Sequence, residues 1–163
     1  MKKNSLIRVF LILFVISVNV GCDQVSKSIV RQNLAYNQTI ELIDRNLVLT
    51  KVENTGAFLS LGDELTGPAR SILLVLFPTL ALLLALGVAL FNTRLDKTMA
   101  FGLCCIVGGG IGNIFDRLYY GSVTDFLHID LNLVQTGVFN MADVSIMAGT
   151  LLVLIHSQLK KPN

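Results

Sequence analysis

Four apolar segments alternate with polar stretches along the chain, at residues 6–21, 71–91, 98–115 and 138–159. A helix needs about 20 mostly apolar residues to cross the hydrocarbon core of a bilayer. The second and fourth segments reach this length, and the first and third reach it when flanking residues are added. Pro78 should kink the second segment, because proline removes a helical hydrogen bond. The pattern predicts an all-α membrane protein with four transmembrane helices, forming one polytopic domain over the whole chain.

Two long polar stretches, at about 22–70 and 116–137, separate these spans as loops on one side of the membrane. Within the first loop, residues 39–58 are rich in β-branched and aliphatic side chains, and Asp44-Arg45-Asn46 is a turn signal. This combination predicts a small hairpin or a pair of twisted strands. The loop region is therefore expected to contain some β-structure.

Composition agrees with a membrane location. Hydrophobic residues make up 53% of the chain and charged residues 15%, whereas soluble domains have roughly 25% charged residues. The net charge of +2 is too small to indicate a nucleic-acid partner. Cys104 and Cys105 lie inside an apolar segment, which favours buried thiols over a redox or metal pair.

Cys22 raises the question of whether the first apolar segment is retained. The basic start, the apolar stretch and the small residue before Cys22 are typical of a lipoprotein signal peptide, which is cut before the cysteine. Three further apolar segments follow Cys22, however, and Asn19 stands where such signals usually carry an aliphatic residue. The first segment is therefore predicted to remain as a span.

Loop charges predict the orientation of the spans. If the spans alternate, one side carries a single acid, Asp96, and a concentration of basic residues in short segments: Lys2, Lys3, Arg8, Arg94, Lys97, Lys160 and Lys161. On the other side, basic residues are spread over the two long loops and mixed with most of the acids. Positive charge in short segments marks the cytoplasmic side. Both termini are therefore expected to be cytoplasmic, with the long loops facing outward.

Polar residues cluster at the outer ends of the spans, where ionisable groups are costly and are candidates for function. The cluster contains Asp23, Lys27, Asn113, Asp116, Arg117, Asp125, Asn140 and Asp143. Asp23 and Lys27 stand just beyond span one and are four residues apart, so they can pair on one helical face. Asn113 shares a face with Asp116 and Arg117 for the same reason. All these groups come from the same side of the membrane.

Two carboxylates held together at such an interface favour aspartyl-type hydrolysis. Like charges a few ångströms apart cannot both ionise easily, so one keeps its proton. The ionised partner can take a proton from water, and the protonated one can polarise the scissile carbonyl. The zinc-protease signature His-Glu-x-x-His and the nucleophile elbow Gly-x-Ser-x-Gly do not occur in the sequence. His128 and Asp130 near Asp125 are a weak basis for a metal site, so no metal is predicted.

Five short motifs follow one another along nearly the whole chain. They are Asp23-Gln24-x-x-Lys27, Asn54-x-Gly56-Ala57, Gly112-Asn113-x-x-Asp116-Arg117, Val123-x-Asp125-Phe126 and Phe139-Asn140-x-Ala142-Asp143. In order and in four-span layout they resemble lipoprotein signal peptidase, also called signal peptidase II. One departure is Phe58, which directly follows Ala57 where many members have a second small residue, and it leaves the geometry of this loop open.

The resemblance implies an intramembrane aspartyl endopeptidase of the bacterial cytoplasmic (inner) membrane, with its active site at the outer face among the membrane lipids. Its substrates would be prolipoproteins that carry diacylglycerol on a cysteine, cut on the amino side of that cysteine. Asp125 and Asp143 would be the catalytic pair, and no cofactor is implied. Residues implied to support the pair, or to hold substrate or the inhibitor globomycin, are Asp23, Lys27, Asn54, Gly56, Asn113, Asp116, Arg117 and Asn140.

Several of these residues also have a structural interpretation. Asp116 beside Arg117 is typical of paired charges at a helix end, and Asp23 with Lys27 can be a supporting ion pair. A run of glycines inside an apolar segment favours close helix packing over phosphate binding; it consists of Gly108, Gly109, Gly110 and Gly112.

Two other classes of protein remain open at this point. A small transporter or channel subunit would also carry intramembrane acids, but it should place polar groups near the bilayer midplane, and span two has none. A membrane-anchored binding or assembly protein would need no carboxylate pair. Such a protein should tolerate asparagine at Asp125 and Asp143.

Overall fold

Long helices account for most of the molecule, and a small sheet lies at one end of them. The computed structural model describes residues 3–36, 38–43, 46–56, 67–131 and 134–159. Within these ranges, four helical segments are long and apolar enough to cross a membrane, at Leu6–Asn33, Gly67–Phe91, Lys97–Tyr119 and Met141–Leu159. The sheet has three strands. This architecture confirms the predicted fold of four spans with a small β-containing region.

The helices and strands alternate in an order that puts the sheet between spans. In chain order they are α1 (Lys3–Asn33), β1 (Thr39–Ile43), β2 (Leu47–Asn54), α2 (Gly67–Ser71), a π-helical segment (Ile72–Leu76), α3 (Phe77–Phe91), α4 (Lys97–Tyr119), β3 (Val123–Ile129) and α5 (Met141–Leu159). Span two consists of α2, the π-helical segment and α3.

The first helix continues to Asn33, well past the predicted end of span one at residue 21. Asp23 and Lys27 therefore lie inside a continuous helix, and the prediction that they stand beyond its end is wrong. Both side chains are fully buried and paired, so they do not need water and the helix has no reason to end before them. Cys22 lies on the exposed face of the same helix.

Span two departs from regular α-helical geometry just before Pro78, the residue at which the sequence predicts a kink. The irregularity takes the form of the π-helical segment, in which the Phe77 N–H reaches back to the Ile72 carbonyl. Proline has no N–H to donate and crowds the carbonyl one turn earlier, so a wider turn relieves both problems. The Thr79 hydroxyl donates to the Val75 carbonyl over 2.7 Å, which gives that carbonyl a partner near the break.

The predicted hairpin is present as β1 and β2, which pair antiparallel. The Asp44-Arg45 part of its turn lies outside the described residues. β2 also pairs antiparallel with β3, so that Asn54 lies opposite Val123 and Val52 lies opposite Asp125. The strand β3 was not predicted, because residues 116–137 were assigned to a loop. Asp125 accordingly lies in a strand.

Two more boundaries differ from the sequence prediction. The helix of span four, α5, begins at Met141, whereas the sequence predicts this span from residue 138. Phe139 pairs with β3 instead: its N–H donates to the Leu127 carbonyl over 2.8 Å, and its carbonyl accepts from the Phe126 and Leu127 N–H groups. The helix of span three, α4, extends to Tyr119 and so includes the first residues of the predicted loop. The segment before α5 is thereby fixed to the strand that carries Asp125.

The glycines of α4 allow three other helices to pack closely against it. A methyl group at Gly108 would meet Asn19 and Ile16 of α1, and one at Gly110 would meet Leu82 of α3. At Gly109 it would meet the carbonyl oxygen of Ala142 in α5, and at Gly112 the carboxylate of Asp23. The predicted role of these glycines in close helix packing is confirmed. Cys104 and Cys105, also on α4, are buried as predicted.

Polar contacts also join the helices at the end of the bundle opposite the sheet. The Arg8 guanidinium donates to the Ala89 carbonyl over 2.9 Å and to the Asn92 carbonyl over 2.7 Å, which satisfies the end of α3. Asp96 caps the start of α4 by accepting from the Met99 N–H. The Asp96 carboxylate also lies 2.8 Å from Nε2 of His156 in α5.

A Gly109→Ala change tests the close contact between α4 and α5. An added Cβ would lie 2.9 Å from Cγ1 of Ile146 and closer still to the Ala142 carbonyl, and backbone cannot move aside as a side chain can. We expect the change to cost about 1–3 kcal/mol of stability and to lower the midpoint of thermal unfolding in detergent. The matched control is Gly87→Ala in α3, where no atom lies within 4 Å of the new methyl group. Equal midpoints for the two variants would contradict this packing.

Candidate active site

A single hydrogen-bonded network joins all the site residues predicted from the sequence. It lies where the sheet meets the ends of α1 and α4 and the start of α5. Its members are Asp23, Lys27, Asn54, Gly56, Asn113, Asp116, Arg117, Asp125, Asn140 and Asp143. The structure therefore brings together residues that are more than a hundred positions apart in the chain.

Two carboxylates stand at the centre of this network. Asp125, on β3, is 2% exposed. Its Oδ1 accepts from Nδ2 of Asn140 over 2.6 Å, and its Oδ2 accepts from Nδ2 of Asn54 over 3.0 Å. Asp143 lies in the first turn of α5, where its Oδ1 accepts from Nδ2 of Asn113 over 2.8 Å. Both carboxylates are thus oriented by neutral amide groups.

Asn140 connects the two carboxylates. Its Oδ1 accepts from the Asp143 N–H over 3.0 Å, and its own N–H donates to Oδ2 of Asp143 over 3.1 Å. This reciprocal pair is a capping box that begins α5, with an aspartate in the place usually taken by glutamate or glutamine. The Nδ2 group of the same side chain contacts Asp125. One fully buried residue therefore caps the helix and fixes one carboxylate relative to the other.

A buried ion network lies beside this pair. The Lys27 ammonium is 2.8 Å from Oδ2 of Asp23 and 3.0 Å from Oδ2 of Asp116, and all three side chains are fully buried. The ammonium also donates to Oδ1 of Asn113 over 2.9 Å. Oδ1 of Asp23 accepts from the Ala142 N–H in the first turn of α5. The network thus ties α1, α4 and α5 together at the level of the two carboxylates.

Asp116 has different partners from those expected. The sequence suggested a pair with its neighbour Arg117, but Asp116 contacts Lys27 and lies 2.9 Å from Nη2 of Arg31. Successive helix positions point about 100° apart, so neighbours in sequence face different directions. Arg31 was missed by the sequence analysis. Its signal was the spacing Asp23, Lys27, Arg31, which repeats every four residues along one face of α1.

Arg117 contacts the segment that follows β2 and not Asp116. Its Nη2 donates to the Gly56 carbonyl over 2.8 Å, and the Gly56 N–H donates to Oδ1 of Asn54 over 3.0 Å. These contacts fix the segment that carries Asn54 and orient its amide towards Asp125. Ala57 and Phe58 lie outside the described residues, so the question raised by Phe58 stays open.

The surroundings of Asp125 favour its protonated form. Burial, with a smaller contribution from the nearby Asp143 carboxylate, raises the pKa of Asp125 to about 6, against the opposing effect of hydrogen bonds from Asn54 and Asn140 and the charge of Lys27. A carboxyl group with this pKa can exchange a proton near neutral pH. Together, the two carboxylates can supply one acid and one base at adjoining positions. Among the described residues, no group of three His, Cys, Asp or Glu side chains could hold a metal ion.

The sequence is similar to those of lipoprotein signal peptidases from several bacteria. The family sequence profile described as signal peptidase (SPase) II matches residues 15–159. The chain is 37% identical over 126 residues to the lipoprotein signal peptidase of Treponema denticola, covering 74% of the chain and 73% of the relative. It is 36% identical over 141 residues to that of Nostoc sp., covering 86% and 85%. For the protein of the same name from Solibacter usitatus, identity is 32% over 133 residues, with 82% and 81% covered.

The fold is also similar to solved structures. A bacterial membrane enzyme structure obtained by the in meso method at 2.3 Å resolution superposes with a TM-score of 0.81, covering 95% of this chain and 94% of that one. A second, at 1.9 Å resolution, gives a TM-score of 0.81 with 94% and 96% covered. Sequence identity is 23% in both cases, so these structures support the fold alone.

Proposed function

Because the chain belongs to the signal peptidase II family of membrane proteases, we propose that it removes signal peptides from prolipoproteins by aspartyl catalysis. The substrate is a prolipoprotein with a diacylglyceryl group on its cysteine, and the bond cut lies on the amino side of that cysteine. The observation that carries the proposal is the pair Asp125 and Asp143, one on strand β3 and the other in the first turn of α5, which are both held by the shared neighbour Asn140.

The pair Asp125 and Asp143 is the catalytic dyad in this proposal, and it works with one shared proton. The ionised carboxylate takes a proton from a water molecule as the water oxygen attacks the scissile carbonyl carbon. The protonated carboxyl group donates its proton to the carbonyl oxygen, giving a neutral tetrahedral intermediate. When the C–N bond breaks, the carboxyl group that took the proton from water donates it to the leaving amine of the lipidated cysteine. The other carboxylate takes back a proton from a hydroxyl of the intermediate as the new carbonyl forms. Water has then been added across the peptide bond, and the dyad is restored to its starting protonation.

The supporting residues act by orienting the dyad. The side-chain amides of Asn54, Asn113 and Asn140 donate to the two carboxylates, which supports a positioning role for them. The Lys27 ammonium holds the Asn113 side chain in place by donating to the Asn113 Oδ1. The diacylglyceryl chains of the substrate lie in the surrounding lipid, against the apolar surface of the spans. Globomycin is expected to bind at the same site.

The loop charges support one orientation of the spans in the membrane, with the candidate active site at one end of the helix bundle. The end that carries Arg8, Asp96 and His156 is the cytoplasmic one, and the dyad lies towards the outer face of the bacterial cytoplasmic membrane. Both chain termini are cytoplasmic in this arrangement. Cys22 remains inside the first span and takes no part in the chemistry.

A direct assay tests the proposed function. Purified protein in detergent should cleave a diacylglyceryl-modified prolipoprotein on the amino side of its cysteine, with the product identified by mass spectrometry. The same prolipoprotein without its lipid should be a poor substrate, because it loses the part that anchors it beside the spans. Equal cleavage rates with and without the lipid would refute the proposed role of the lipid.

Isosteric changes test the dyad. Asp125→Asn and Asp143→Asn should each lower kcat by about a thousandfold or more, because each removes a titrating group. Each new amide faces existing donors, so some loss of thermal stability is expected, about 1–3 kcal/mol. The matched control is Asp116→Asn, an equally buried carboxylate that pairs with Lys27 and Arg31. It should lose stability and keep measurable turnover. A folded dyad variant with near-native turnover would exclude the assignment.

The pH dependence of the native enzyme gives a further check on the same residues. Asp125 should be largely protonated below pH 6 and ionised above it, because burial raises its pKa to about 6. The plot of kcat/KM against pH should therefore have one limb whose midpoint lies near pH 6.

Reporter fusions test the orientation and the retention of the first span. Fusions after residue 60 should report the periplasm, and fusions after residue 95 should report the cytoplasm. The amino terminus should be uncut, and Cys22→Ala should leave activity largely intact, since the Cys22 side chain is exposed on α1 and the proposed chemistry uses no thiol. A mature chain that begins at a lipidated Cys22, detected by mass spectrometry, would contradict this.

A further inference from the structure

Arg70 joins three separate parts of the chain near the active site. It lies on α2, at the start of span two. Its Nε and Nη2 donate to the Thr55 carbonyl over 3.1 and 2.6 Å, and Nη2 also lies 3.2 Å from the Gly121 carbonyl. Thr55 directly follows β2, and Gly121 lies in the turn between α4 and β3, with φ of +78°. One guanidinium therefore holds the end of one strand against the start of the next.

These two strands carry Asn54 and Asp125, the donor and acceptor of a bond in the candidate active site. Asn54 is the last residue of β2 and immediately precedes Thr55. The next residue, Gly56, is held through its carbonyl by Arg117. Two arginines from different helices thus hold the two consecutive carbonyls that follow Asn54. Hydrogen bonds with a charged donor are roughly twice as strong as neutral ones, so these contacts resist fraying at the end of β2.

We propose that Arg70 is a positioning residue for the dyad, which keeps the Asn54 amide on the Asp125 carboxylate by holding Thr55 to the turn that begins β3. The inference rests on the proposed function, because it assigns Arg70 an effect on the catalytic carboxylate. Arg70 itself contacts backbone carbonyls and acts through Asn54. A purely structural role, in which Arg70 only anchors the start of span two, would leave the titration of Asp125 unchanged.

The kinetic test compares Arg70→Ala, Asn54→Ala and the double variant, using the lipid-modified prolipoprotein. Arg70→Ala should lower kcat by about tenfold or more, because small misplacements at a reacting centre are costly, with a smaller change in KM. The limb of the pH profile that moves in Asn54→Ala should move in the same direction, to higher pH, in Arg70→Ala. Both changes weaken a hydrogen bond that lowers the pKa of Asp125. The double variant should be no worse than Asn54→Ala alone. Additive losses, or an unmoved profile, would overturn the proposal.

A second measurement does not depend on activity. Hydrogen–deuterium exchange over residues 52–56 should be faster in Arg70→Ala than in the native protein, because the Gly56 N–H donates to Asn54. Arg94→Ala is the matched control: it removes the same charge from an exposed position at the other end of the bundle, and it should leave exchange unchanged. If Arg70→Ala does not fold, Arg70→Lys serves instead, with a smaller increase in exchange. Native exchange in the folded variant would overturn the proposal. An active Asp125→Asn enzyme would defeat the proposed function alone, since the exchange result reports the Asn54 segment whatever the chemistry.

Discussion

The buried ammonium of Lys27 is the interaction on which the rest of the site depends. An ion of this size is costly to remove from water, and only close partners of opposite charge and well-placed acceptors offset the cost. Asp23, Asp116 and Asn113 supply them, all within about 3 Å. Leaving such a charge uncompensated costs about 3–5 kcal/mol. The helices α1 and α4 are therefore held at one depth and in one register, and Asp23 extends the hold to the start of α5.

This framework is connected to the proposed dyad through side-chain amides whose orientation is fixed by their hydrogen bonds. Oδ1 of Asn113 accepts from Lys27 and from Asn140, so its Nδ2 must face Asp143. Asn140 uses its Oδ1 to cap α5, so its Nδ2 must face Asp125. Turning over either amide would break three hydrogen bonds and bring donor against donor and acceptor against acceptor. The amide donors of the candidate site are thus preorganised by groups outside the proposed chemistry, which is the arrangement that electrostatic catalysis requires.

Local patterns in the sequence were enough to predict the four spans, the hairpin of β1 and β2, and the residues that meet at their ends. The features that were not predicted depend on contacts with residues far away in the chain. The helix α1 continues through Asp23 and Lys27 because other helices bury and pair those charges, whereas hydropathy reads them as the end of a span. The strand β3 pairs with β2, which lies some 70 residues earlier in the chain, as the Asn54 to Asp125 bond illustrates. Asp116 lies beside Arg117 in sequence, but helical geometry turns it towards Lys27 and Arg31.

The buried carboxylates of the site differ in their partners, and this difference distinguishes the carboxylates with a structural role from those with a proposed catalytic role. Asp23 and Asp116 have cationic partners at salt-bridge distance, so their charge is part of the framework. Asp125 and Asp143 receive hydrogen bonds from amide groups, which orient a carboxylate without cancelling its charge. Burial therefore outweighs the hydrogen bonds from Asn54 and Asn140 and brings the pKa of Asp125 to about 6, where a proton can be gained or lost during a reaction. A cation placed as close to Asp125 as Lys27 is to Asp23 would hold the carboxylate ionised and remove it from proton transfer.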